Sequence, residues 1–424
     1  MGGLLLGAFG GLVLAAVPIG FALAGAASIV IIASDLPLII IPQQIVAGMD
    51  SFPMLAVPLF ILAGFLMDVG GISRRLVTLA RSMVGHLPGG LGQVVIIAEI
   101  FFSGVSGSTS ADAAAIGGIM VPQLTENGYS RPRATAIVSA ACGVGILIPP
   151  AIVMVVYSII GNISVGALFV ASITPALLLA TGLMIQIGWQ ARREGWPTGK
   201  RASFSEVRYA AINAALPLLM IIVILGGIRF GFFTPTEAAA VAVAYALLLA
   251  GPVYRALTVR ELWRKIIQTA VISGMVLFVV GAAHLMGWVL AVMQVPQTLA
   301  SLVVGIGGGQ AGFMILTILV LLPLGAILEG VPAVVILTPI LLPLARELGI
   351  DLVHYGTVIV ATQGISVFLP PVGVSLLVAC SVGGVKPAEV VRPLWPYLAL
   401  MLVLTVAIAF LPEVVLYLPS LLGY

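Results

Sequence analysis

Between its Gly, Pro and charged breaks, this chain stays apolar for about 15 to 25 residues at a time, the length of helix that crosses a bilayer core. Strands of a membrane barrel would alternate apolar and polar residues over about ten positions, and these runs do not. With 61% hydrophobic and 8% charged residues, the 424-residue chain cannot hide its apolar surface in a water-soluble core. It reads as an all-α polytopic membrane protein. The formal charge of +3 comes from loop arginines, which orient membrane helices and are no sign of nucleic-acid binding. The first residues, MGGLLLGAFGGLVLAAVPIG, lack a basic leader and a small-residue cleavage site, so they are expected to be a membrane segment of the mature protein. Cys142 and Cys380 lie in apolar runs and read as small hydrophobes.

A second feature narrows the fold. Sliding the chain by 221 positions pairs Gly104 with Gly325, Pro122 with Pro343, Gly128 with Gly349 and Gly143 with Gly364. The same shift pairs Pro149 and Pro150 with Pro370 and Pro371, and Pro175 with Pro396. Chance matches between apolar stretches would favour Leu, Val and Ala. Matches at backbone-breaking residues point to an internal repeat.

Charge orients the two copies. Arg192, Arg193, Lys200, Arg201 and Arg208 fall in 190–209, the longest polar stretch, and Arg255, Arg260, Arg264 and Lys265 in 252–265. Both loops are assigned to the cytoplasm. Trp189, Trp196, Trp263 and Trp395 lie where an interfacial aromatic belt would place them. Tracing back puts Arg74, Arg75, Arg81, Arg131 and Arg133 inside too. The matching stretches of the second copy, 294–310 and 345–355, offer only Arg346 against Glu347 and Asp351. The copies are therefore expected to be inverted relative to each other. At the N-terminus, 1–17 and 19–34 read as two short spans separated at Pro18, with one long tilted helix as the alternative.

Each copy holds two breaks. In 91–124 an apolar helix, LGQVVIIAEIFF, runs into the polar stretch Ser103–Ser110, and a second helix is expected from about Ala111. Each arm has about 13 residues, about 20 Å, too short to span; a re-entrant hairpin with its tip inside the membrane follows. The second tip is expected near Gly325 to Val331, entering from the opposite side. The Pro-Pro pairs then break the next helix of each copy, which is expected to free the carbonyls of 143–148 and 364–369. Freed carbonyls suit a small cation, and helix N-termini beyond the breaks suit an anion. One Na⁺ site is expected from Ser103, Ser106, Gly145, Ile148 and Pro150, and a second from Gly325, Ser366, Leu369 and Pro371. Ser108, Thr109, Ser110, Asp112, Glu329 and Gly330 at the two tips are the candidate substrate-binding residues.

Carboxylates inside a membrane are costly and so informative. Asp112 falls in the first turn of its helix, where it serves as a cap or as part of the site. Glu329 has no capping role to explain it, and Glu99 is left without an assignment. His284 and His354 read as structural. Gly104-Val-Ser106-Gly107 with His284 is a faint match to an intramembrane serine protease, which an inverted copy would not serve. There is no HExxH, P-loop or Cys/His cluster, so no cofactor and no metal other than Na⁺ is expected. Thr234-Pro235-Thr236-Glu237 is a capping box that starts a helix.

Four motifs in combination carry a family resemblance over essentially the whole chain: PLFILAGFLMDVGGISRRL (58–76), SGSTSADAAAIGGIMVP (106–122), GFFTPTEAAAVAVAYALLL (231–249) and the LIPP and FLPP breaks. They resemble the large membrane subunit, DctM-like, of tripartite ATP-independent periplasmic (TRAP) transporters. The resemblance implies a nonenzymatic, Na⁺-coupled importer of organic acids in the bacterial inner membrane. It also implies an elevator mechanism, in which the hairpins and broken helices, 91–160 and 311–384, move against scaffold helices in 1–90, 161–310 and 385–424. The implied partners are a small four-helix membrane subunit and a periplasmic substrate-binding protein. C4-dicarboxylates, sialic acid and other sugar acids all fit as substrate. A self-sufficient Na⁺/dicarboxylate symporter of the same architecture is the alternative, and a channel a more distant one.

Overall fold

The computed structural model describes residues 2–295, 308–328 and 330–424, and all regular structure among them is helical. Eight of the described helices are long and apolar enough to cross a membrane. The N-terminal region divides as the Pro18 break predicts, into α1 (Gly2–Leu14) and α2 (Ile19–Ala33), followed by α3 (Ile40–Met49), α4 (Ala56–Val69) and the amphipathic α5 (Ile72–Val84). Helix α5 buries Ile72, Leu76, Val77, Leu79 and Ala80 on one face and leaves Arg74 and Arg81 on the other.

The first repeat unit is α6 (Gly90–Ser106), α7 (Thr109–Glu126), α8 (Arg131–Gly145), α9 (Ile152–Gly161) and α10 (Val165–Glu194). Its connection to the second is α11 (Phe204–Arg229), α12 (Pro235–Leu248) and α13 (Val259–Val292). Each connecting helix starts at a completed capping box, on Ser203, Thr234 and Thr258. The order of the first unit then recurs as α14 (Gly309–Leu328), α15 (Gly330–Glu347), α16 (Leu352–Ser366), α17 (Val374–Gly383) and α18 (Pro387–Phe410), with α19 (Pro412–Leu421) last. Both Pro-Pro peptide bonds, 149–150 and 370–371, are cis.

Equivalent residues of the two units meet at one point. A Cβ placed on Gly143 of α8 would lie 2.4 Å from the carbonyl oxygen of Gly364, and one on Gly364 of α16 would lie 2.2 Å from that of Gly143. Such a reciprocal contact is what a two-fold relation between the copies requires. Only glycine permits it at either position. The units are also interlaced: α7 packs on α17 and α15 on α9, so each hairpin rests on the other repeat's half-helix.

Contacts at the two ends establish the inversion. At one end Arg75 lies over the Tyr254 ring at 3.6 Å, Arg133 pairs with Glu194 at 3.1 Å, and the Gly199 amide donates to the Gly85 carbonyl at 3.1 Å. These are the loops that the arginines assign to the cytoplasm. Hairpin α6–α7 starts here, with Gly92 against Ile187. Hairpin α14–α15 starts at the opposite end, where Gln310 donates to the Leu348 carbonyl at 2.8 Å and Arg346 to the Gly161 carbonyl at 2.8 Å.

Candidate ion and substrate site

The tip of the first hairpin is tighter than the sequence predicts. Helix α6 continues through Ser106 and α7 starts at Thr109, so Ser103 and Ser106 are helical and the turn is Gly107–Ser108 alone. The earlier start of α7, relative to the expected Ala111, follows from Gly107. Its φ of +62° lets its amide reach back to the Ser103 carbonyl at 3.0 Å, an αL cap that ends α6 at once. A Cβ on Gly107 would sit 3.0 Å from the Pro150 carbonyl oxygen, which places the tip directly against the α8 break.

Most of the first predicted ion site assembles there. A Cβ on Gly145 would lie 2.7 Å from Ser103 Oγ and 3.2 Å from Glu99 Oε1, and one on Gly104 would lie 3.2 Å from the Ile148 side chain. Ser106 Oγ donates to the Asp112 carboxylate and accepts from the Ser108 amide at 3.3 Å. The Ser106 backbone oxygen points elsewhere, toward Gly64 of α4, whose added Cβ would meet it at 2.6 Å. Ser106 therefore serves this cluster through its hydroxyl. Asp112 is not the cap of α7; Ser108 holds that position, and Asp112 is fully buried with Oδ2 lacking a partner. Glu99, unassigned from sequence, is also fully buried, with both carboxylate oxygens lacking partners. Thr109 is buried, whereas Ser108 and Ser110 are half-buried, with their hydroxyls 3.3 Å apart.

The second break gathers fewer of its predicted residues. Gln363 Nε2 donates to the Gly325 carbonyl at 3.4 Å, and a Cβ on Gly325 would meet the Gln363 amide and, at 2.7 Å, the Ser366 Cβ. Ser366 Oγ donates to the carbonyls of Leu321 at 3.2 Å and Thr362 at 3.0 Å. Leu369 and Pro371 are less suited than expected: the Leu369 carbonyl accepts from the Gly373 amide at 2.9 Å, and Pro371 is exposed. Gly330 sits beside Val153 of α9. Glu329 lies outside the described residues. Gln363 went unnoticed in the sequence. Its signal was a single amide in the apolar run TVIVATQGISVF, one residue before the crossing glycine.

The carbonyls ahead of each Pro-Pro pair are less free than the loss of proline's amide donor suggests. Tight turns take up part of the deficit: the Ile148 amide donates to Gly145 at 2.8 Å, Leu147 to Val144 at 3.0 Å, and Leu369 to Ser366 at 3.1 Å. The Val367 carbonyl accepts from Ser375 across the break at 2.9 Å. The carbonyls of Ile148 and Pro150 accept no hydrogen bond among the described residues. His284 lines a separate cavity of about 700 Å³ with Trp288, Asn162 and Arg346, so it forms no dyad with Ser106. His354 bridges to the Ile408 carbonyl at 3.0 Å, a structural tie between α16 and α18.

Comparison with known proteins agrees with this architecture. The sequence is 39% identical over 422 residues to the Salmonella typhimurium protein YgiK, covering 98% of this chain and 97% of that one. It is 39% identical to the C4-dicarboxylate TRAP transporter large permease protein DctM of Pseudomonas aeruginosa, covering 88% of each. It is 36% identical to the sialic acid TRAP transporter large permease protein SiaM of Vibrio cholerae, covering 98% and 97%. The fold matches the YdaH transporter of Alcanivorax borkumensis with a TM-score of 0.68 over 87% of each chain at 13% identity. A multi-pass inner-membrane permease, not an enzyme, is what these relationships and the eight apolar helices establish. With residues 6–414 matching its defining profile, the chain belongs to the DctM component family of tripartite ATP-independent periplasmic transporters.

Proposed function

We propose that this chain is the translocation subunit of a Na⁺-coupled importer for an organic acid anion, working by an elevator motion with a small membrane subunit and a periplasmic binding protein. The observation that carries this reading is the pair of opposed helix breaks, each with buried polar atoms that lack partners: the Glu99 oxygens and Asp112 Oδ2 at one, Gln363 Oε1 at the other. Buried polar groups without partners are costly, and a cation at each break would supply what they lack. Ser103, Gly145, Ile148 and Pro150 with the Ser106 hydroxyl hold the first Na⁺. Gly325, Ser366 and Gln363 hold the second.

Substrate then meets the first turn of α7, where Ser108 and Ser110 offer hydroxyls and the helix N-terminus offers amides to a carboxylate. Bound Na⁺ supplies the positive charge that an organic anion needs here. The substrate class is a carboxylate-bearing small acid, of the C4-dicarboxylate or sugar-acid kind transported by the relatives. Selection among these falls to the binding protein, because the tip residues recognise only the carboxylate and its hydroxyl neighbours.

Elevator motion draws support from the packing. The first tip presses on Gly64, in the half of α4 whose Phe65 lies under Lys265 at the arginine-rich end. At the opposite end the cavity near Arg346 lies among α3, α13, α9 and α15, with α13 still touching α15 where Gly287 meets Pro339. An elevator with its site lowered toward the cytoplasm would leave space of this kind above it. The test is uptake into proteoliposomes holding the chain with both partners. Radiolabelled acid is expected to accumulate with a sodium gradient and not with choline. Equal uptake in both buffers refutes coupling, and undiminished uptake without the binding protein identifies a self-sufficient symporter instead.

A further inference from the structure

The described residues of the two breaks differ in charge. At the first, Glu99 and Asp112 are both fully buried and close enough to act on one another. Cys142 of α8 adjoins Glu99; Ser103, Ser106 and, from α4, Asp68 act on Asp112. No Lys, Arg or His of the described residues is among these neighbours. The positions equivalent to Glu99 and Asp112 in the second copy are Val320 and Ala333, and Cys142 corresponds to Gln363. Among the described residues, the second break is thus built from amides, hydroxyls and carbonyls.

Two adjacent buried carboxylates cannot both be ionised without a counter-charge. No hydrogen bond of ordinary geometry reaches either Glu99 oxygen, although Cys142 and Asp112 lie close enough to act on it, and Oε1 faces the space beside Gly145, the residue where α8 breaks. Ser103 Oγ faces the same space. We infer that Glu99 is a ligand of the cation at the first break and, with Asp112, gives that site its negative charge. Charge closes when the pair holds one proton and one monovalent cation.

This inference rests on the Na⁺-coupled reading, and its test separates the two. The full-length chain in detergent is heated at increasing NaCl, with choline chloride holding ionic strength constant, and the unfolding midpoint is followed. The wild-type midpoint is expected to rise with Na⁺. In Glu99→Gln the half-saturating Na⁺ concentration rises at least about tenfold, the scale of losing one group that supports a bound metal. In choline alone the same variant is expected to unfold above the wild type, because an unpaired buried carboxylate is gone. A merely structural Glu99 would lower stability in both buffers and leave the half-saturation in place. If E99Q does not survive purification, Glu99→Asp should keep the Na⁺ response and Glu99→Ala lose it. A wild type blind to Na⁺ refutes coupling. A responsive wild type with an unshifted E99Q, or equal responses in E99D and E99A, overturns the assignment of Glu99 alone.

Discussion

Gly143 and Gly364 show how much can depend on an absent side chain. A methyl group at either position would lie within 2.4 Å of the other's carbonyl oxygen, where both neighbours are backbone and neither can yield. Gly143→Ala is expected to cost about 1–3 kcal/mol, the usual range for overpacking, read as a lower unfolding midpoint with or without Na⁺. Gly364→Ala should match it, and the double variant should cost less than the sum because both push apart the same helix crossing. A G143A protein as stable as wild type would mean that α8 and α16 do not cross this closely. Both glycines were legible in the sequence as matched breaks of the repeat. Their meeting was not, since a repeat fixes which residues are equivalent and leaves open which of them touch.

At the scale of the helix, two devices recur with different consequences. Capping boxes at Ser203, Thr234 and Thr258 start α11, α12 and α13, and each satisfies two amides that would otherwise be orphaned. Thr258→Ala is expected to lower stability by about 1 kcal/mol and to leave the Na⁺ half-saturation unchanged. A shifted half-saturation would tie α13 to the ion sites. The Pro-Pro breaks are the opposite device, since they leave carbonyls and amides for other groups to use. The sequence located these breaks correctly but overstated how many carbonyls they free. Adjacent residues can close i+3 turns and recapture them, as Ile148 does at Gly145 and Leu369 at Ser366. The exact tip of the first hairpin was likewise beyond sequence, because Ser103 and Ser106 are as compatible with a last helical turn as with a loop.

For the whole molecule, the interlacing of α7 with α17 and α15 with α9 joins the hairpins and half-helices into one packed group. The cavity lined by Ala47, His284 and Trp288 on one side and Ile160, Pro339 and Leu342 on the other lies between α3 and that group, which α13 touches where Gly287 meets Pro339. If the group must rise into this space to receive substrate, filling the space will stop it. Ala47→Cys, labelled with a bulky maleimide, is expected to abolish uptake while the Na⁺-induced rise in unfolding midpoint persists. Labelling is selective because Cys142 and Cys380 are buried. Unimpaired uptake after full labelling would rule out a rigid-body passage through this region. By itself the sequence determined the membrane environment, the helical class, the internal repeat and its inversion, because hydropathy, backbone-breaking residues and loop charge act locally and need no partner to be read. Only the tertiary structure decided that Glu99 faces Gly145, that Asp112 is held by Ser106 and does not cap α7, and that Gln363 reaches Gly325. Those are meetings between separate helices, and whether a buried carboxylate or amide finds a partner depends on what the crossing of α8 and α16 brings beside it.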